Sequence, residues 1–137
     1  MVHALREARR VLQPDGLLLE LRSGPVHRRI GIEVAGQYQQ LAVMGESLHD
    51  EHAANRAIAE VLNLGLFKLL ARTQVNCNRI MSVKDFKVWL LDFAYDRATP
   101  PERLIQTVEQ AYGSKGKGKK IAVKGPLVLK ILKKMEA

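Results

Sequence analysis

Cysteine occurs once, at Cys77, so no internal disulfide framework is possible. Three Phe, three Tyr and one Trp supply little material for a base-stacking platform. No apolar run approaches the roughly 18 residues of a membrane span. Met1 leads into a charged segment rather than a basic-then-apolar leader. These absences predict a cytoplasmic protein with no membrane partner. Acids are also scarce, 14 against 22 Lys and Arg, for a formal charge of +8. Such an excess favours anionic partners. It is concentrated at the end, where eight lysines from Lys115 onward face one acid, Glu136. Those lysines either guard a solvated terminal strand edge from pairing with other chains or form a phosphate-binding patch. In the second case Lys115, Lys117, Lys119 and Lys120 are the nucleic-acid contacts.

What is present is an ordinary globular mixture, 47% hydrophobic and 26% charged. Its 137 residues suffice for a single domain, 1–137, with a modest core. Ala4, Ala8, Val11 and Leu12 recur at helical spacing, and the helix stops at Gln13-Pro14-Asp15-Gly16. The run Leu17 to Leu21 is almost continuously apolar, the pattern of a strand buried on both faces of a parallel sheet. Ser23-Gly24-Pro25 ends it. Ile30, Ile32 and Val34 alternate with polar residues, Gly36 turns the chain, and Tyr38 to Met44 is extended. Together they read as a hairpin over 28–44.

Ser47 to Asp50 has capping-box spacing, ahead of a stripe at Ala54, Ile58, Val61 and Leu62 with Gly65 at its end. Phe67 to Cys77 alternates as a long strand with one polar face. Ser82 caps a helix striped by Val83, Phe86, Leu90 and Phe93. Thr99-Pro100-Pro101-Glu102 starts another, with Thr99 as cap, Pro100 in the first helical position and Leu104, Ile105, Val108 and Tyr112 inward. Residues 113–118 form a flexible Gly/Lys/Ser loop. Lys119 to Lys134 is extended, with a bend at Gly125-Pro126.

His49 and His52 share a helix face, yet no third ligand accompanies them, and Asp50 and Glu51 suit a first helical turn. No metal site is expected. Cys77, mid-strand and without a CxxC partner, reads as a buried structural thiol. No Ser/His/Asp or paired-carboxylate set emerges from spacing. The first helix has no capping residue before it, and the amino terminus sits at the positive end of its dipole. A start of this kind suggests a piece of something larger.

Residues 5–22, LREARRVLQPDGLLLELR, resemble the segment of class I S-adenosylmethionine-dependent methyltransferases in which a helix leads through a Leu-x-Pro-x-Gly turn into the fifth strand. Arg10 to Gly16 carries the core of that motif. Gly65-Leu66-Phe67 is similar to the lead into the family's sixth strand, and Lys120 to Lys134 to its last. The resemblance implies an α/β fold: a mixed sheet with flanking helices, like the C-terminal half of a Rossmann-like methyltransferase domain. It implies S-adenosylmethionine as cofactor. It also places the acceptor beyond the carboxyl end of the Leu17–Leu21 strand, where Arg22, Ser23, His27 and Arg28 follow. An arginine there can neutralise an anionic acceptor, and His27 can serve as a base.

The family's donor-binding half, a Gly-rich turn after a first strand and an acid ending a second, has no counterpart. Gly113 to Gly118 precedes a strand rather than following one. The expected protein is therefore methyltransferase-like, inactive alone, and either homo-oligomeric or completed by a chain supplying the missing half. The alternative is a non-catalytic basic module that binds nucleic acid or another protein. Calorimetric titration of the chain with S-adenosylmethionine is expected to show no binding. Tight binding would overturn this reading.

Overall fold

The computed structural model describes residues 1–92, 100–113 and 118–136. The elements are α1 (Val2–Val11), β1 (Leu17–Ser23), β2 (Arg29–Val34), β3 (Gln37–Val43), α2 (His49–Asn63), β4 (Phe67–Met81), α3 (Val83–Asp92), α4 (Pro101–Tyr112) and β5 (Lys119–Lys134). This is an α/β fold, a mostly antiparallel five-stranded sheet with flanking helices. The strand order is β1-β5-β2-β3, and β4 also pairs with β5.

Two expectations about strands are corrected here. The apolar run at β1 suggested a parallel neighbour, but β1 lies antiparallel to β5, from Leu17 opposite Lys133 to Ser23 opposite Leu127. An apolar run reports burial, not direction. The lysine-rich last strand, read as a guarded edge, instead lies inside the sheet. Residues 119–124 of β5 pair with β2 and residues 127–133 with β1. Gly125-Pro126 is the point of handover, where a residue without an N–H costs no ladder bond.

The chain divides into two compact units. The first comprises Met1–Pro25, Leu48–Val75 and Pro126–Ala137. Its core gathers Leu5 of α1, Ala57, Ile58 and Val61 of α2, Phe67 and Leu132, with Val2, Leu12 and Leu18 packed against them. Leu5, rather than the Ala4 and Val11 stripe, anchors α1, and Val11 is exposed. Arg9 ties α1 down by donating to the Leu66 and Met135 carbonyls at 3.3 and 2.9 Å. The Pro-x-Gly turn is sterically specified. A Cβ at Gly16 would sit 2.8 Å from the Gln13 oxygen, while Asp15 takes the left-handed conformation at φ 62°. The N-cap residue of α2 is Leu48, whose side chain offers no capping acceptor. Its end is a Schellman motif: Leu66 N–H donates to Val61 O and Gly65 N–H to Leu62 O, both at 3.0 Å, with Gly65 at φ 66°.

The second unit comprises Val26–Ser47 and Asn76–Gly125. The expected hairpin is present. Ala35 and Gly36, both at positive φ, make the two-residue loop between β2 and β3. Ile30, Ile32, Ile121 and Val123 bury one sheet face beneath Phe86 and Leu90 of α3 and Leu104 and Val108 of α4. Gly31 lets the Tyr38 ring lie on the backbone, since a Cβ there would meet the ring at 2.3 Å. Ser82 caps α3 as expected, its Oγ accepting from Asp85 N–H at 3.1 Å. Helix α4 begins at Pro101, one residue later than the sequence suggested, with Pro100 as its cap residue. Thr99 and Phe93 lie outside the described residues.

Strand β4 departs most from expectation. Phe67 and Met81 at its ends are buried and the residues between are exposed. Cys77 is therefore an exposed free thiol, not a buried one, because neither face of the middle of β4 is covered.

Gly65→Ala should lower stability by about 1 kcal/mol in urea unfolding, the cost of a Cβ in the left-handed region. Nothing lies within 4 Å of the added carbon, so packing contributes none of that loss.

Candidate functional site

The residues expected beyond β1 fall into separate units, Arg22 and Ser23 in the first, His27 and Arg28 in the second. Each pair has its own chemistry.

In the first unit, Glu20 and Arg22 alternate with the leucines of β1 and point to the side covered by helices. Each nitrogen of the Arg22 guanidinium donates within the chain. Nε donates to Glu20, Nη1 to the Glu51 carbonyl at 3.0 Å and Nη2 to Asn55 Oδ1 at 2.5 Å. Lys130, opposite Glu20 on β5, donates to the same Asn55 oxygen at 3.1 Å and lies 3.6 Å from Glu20 Oε2. Burial lowers the Lys130 pKa, with the Glu20 carboxylate pulling the other way. Two cations thus share one buried carboxylate and one amide. This network pins α2 to the sheet. Ser23 sits at the strand's end, opposite Leu127.

In the second unit, Glu46 is the buried charge, with a side chain 5% exposed. Its Oε1 accepts from the Arg28 N–H at 3.1 Å and lies 3.6 Å from Arg28 Nε. Its Oε2 has no hydrogen-bond partner and faces His27 Nδ1 at 3.6 Å. The His27 ring is 44% exposed. Arg28 and Arg79 each place a guanidinium 5.9 Å from the Trp89 ring centroid. Trp89 borders an open depression of about 440 Å³ lined also by Arg79, Met81, Asp85, Val88 and Asp92. Glu46 was invisible to the sequence reading: it lies in the irregular stretch between β3 and α2, where no periodicity marks it.

Among the C-terminal lysines, Lys119 donates to the Ala111 and Tyr112 carbonyls at the end of α4. Lys124 lies 3.9 Å over the Tyr38 ring, and the Tyr38 hydroxyl is buried without a partner, which raises its pKa. Lys133 pairs with Asp15 at 2.8 Å, and Lys134 donates to Leu12 O. Lys120 is exposed. Lys115 and Lys117 lie outside the described residues. Much of the basic run is thus spent on the chain's own acceptors. His49 and His52 stand on the exposed first turn of α2, and no group of three metal-ligating side chains occurs among the described residues. No helix among those residues is long and apolar enough to cross a membrane.

Glu20→Ala leaves Arg22 and Lys130 facing each other without their carboxylate. It should cost about 3 kcal/mol in denaturant unfolding, whereas Lys120→Ala should change stability little. Comparison with protein-family models, with curated proteins and with solved structures finds no match for this chain.

Proposed function

We propose that the chain is the substrate-side part of a class I S-adenosylmethionine-dependent methyltransferase, completed by a polypeptide that holds the donor. The observation that carries this reading is the uncovered side of β1. Leu17, Leu19 and Leu21 are 52%, 64% and 63% exposed, while Leu18, Glu20 and Arg22 between them face the helices. Among the described residues β1 hydrogen bonds on one side only, to β5. A strand written LLLEL is suited to burial on both faces, and this one is buried on one. Fully burying a leucine contributes about 1.5–3 kcal/mol, so three in a row reward a cover strongly. A bare edge beside them offers the backbone ladder for a further strand.

The Leu-x-Pro-x-Gly turn feeding β1 supports the same reading, because Gly16 is sterically required there and Asp15 is held at positive φ. On this reading the donor is held by the other polypeptide. Gly113 and Gly118 flank the passage from α4 into β5, not a turn that follows a strand and opens a helix, so no backbone cradle for its nucleoside occurs among the described residues. Donor binding therefore falls to the covering polypeptide.

The test is a photo-cross-linking amino acid placed at position 19 of the chain in its own cells, with the captured peptide sequenced. The expected product carries a strand, a Gly-rich turn and a helix, and the joined species binds S-adenosylmethionine. Cross-links found only to a second copy of this chain would replace the reading with a homodimer.

A further inference from the structure

Glu46 presents an electrostatic problem that Arg28 solves only for one of its two oxygens. A carboxylate 5% exposed must have its charge compensated and its lone pairs occupied. Arg28 serves Oε1 through its backbone N–H and its guanidinium. Oε2 is buried, unbonded, and faced at 3.6 Å by His27 Nδ1. That separation exceeds a hydrogen bond and lies within ion-pair range. Because the His27 ring is nearly half exposed, it can turn to close the gap, and the unsatisfied oxygen supplies the drive.

The consequence is specific. A hydrogen on Nδ1 given to Glu46 leaves the lone pair on Nε2, at the opposite corner of the ring. A buried acceptor, an oriented imidazole and an outward-facing lone pair make up a base with its positioning group. We propose that His27 and Glu46 form a proton-accepting dyad for a weakly acidic hydroxyl such as a phenol or enol. Glu46 is the positioning residue and His27 the base. The hydroxyl O–H bond breaks, its electron pair stays on oxygen, and the proton passes to Nε2. The resulting imidazolium is neutralised by Glu46, whose Oε2 then accepts a charge-assisted bond. Trp89, with Arg28 and Arg79 on its ring, supplies an aromatic surface in the same unit. The assignment of that hydroxyl as a methyl acceptor rests on the reading above; the dyad does not.

The experiment uses the chain alone, with no donor. Two-bond nitrogen–proton correlation spectra of the histidine rings, recorded where His27 is neutral, should show His27 as the Nδ1–H tautomer in the wild type. Glu46→Gln should abolish that preference. The probe for the substrate class is para-nitrophenol, whose ionised form absorbs visible light. The wild-type chain should raise phenolate absorbance below the probe's own pKa, and both His27→Gln and Glu46→Gln should remove most of the increase. Circular dichroism of the two variants checks that they fold. An Nε2–H tautomer in the wild type, or one indifferent to Glu46→Gln, overturns the dyad. A fixed Nδ1–H tautomer with a phenolate signal that survives His27→Gln overturns its role as base. Neither result touches the cross-linking test at position 19, so failure of the dyad and failure of the methyltransferase reading are separate outcomes.

Discussion

The backbone of β5 is the element on which the other strands depend. β1, β2 and β4 all hydrogen bond to it, and β3 joins through β2. A strand in that position must bury apolar side chains, and Ile121, Val123, Val128 and Leu132 do so. Its lysines must then be accommodated between them. Lys130 is taken into the Glu20–Asn55 network, Lys124 lies over an aromatic ring, and Lys119 and Lys134 satisfy carbonyls that end α4 and α1. The charge that suggests an anionic partner in the sequence therefore does structural work in the fold. The long methylene stems suit this, since they pack while the ammonium reaches an acceptor.

The two buried carboxylates show how differently one residue type can be used. Glu20 sits among Arg22, Lys130 and Asn55, all of which also bind each other or α2, so its surroundings are held from several sides. Such a network fixes the geometry of α2 against β1 and β5. Glu46 has one oxygen satisfied and one facing a half-exposed imidazole. Glu20 Oε2 and Glu46 Oε2 are both buried without a hydrogen bond; what sets Glu46 apart is that its open oxygen faces a half-exposed imidazole rather than the buried Lys130 ammonium. Of the four residues that the sequence offered, Arg22, Ser23, His27 and Arg28, the contrast favours His27, beside a partner, Glu46, that no motif announced.

The exposed leucines of β1 are the counterpart of the Glu20 network. Large apolar side chains scattered singly over a surface carry no message, but Leu17, Leu19 and Leu21 form one apolar strip on one face of β1, beside an edge that pairs with no strand among the described residues. The same strand on its other face is bonded to α2 through Arg22 and packed through Leu18. One face is finished and the other is not.

Local structure was legible in the residues wherever local forces set it. The Gly36 hairpin, the Gly65 helix end, the Ser82 cap and the inward stripe of Phe86 and Leu90 all follow from steric limits on φ or from the 3.6-residue period, which act over a few neighbours. Pairing direction, the central place of β5, the exposure of Cys77 and the His27–Glu46 contact did not follow. Each depends on which segments, far apart in the chain, come to lie side by side. Alternation in β4 showed that a strand would form, yet cover comes from other elements, and none reaches its middle. Glu46 is buried in the irregular stretch after β3, against Arg28 and His27, and no periodicity in that stretch encodes its burial. The sequence alone thus determined the elements and their turns. The tertiary structure decided which charges are neutralised internally and which remain poised for chemistry, because burial and partnership are properties of neighbours in space.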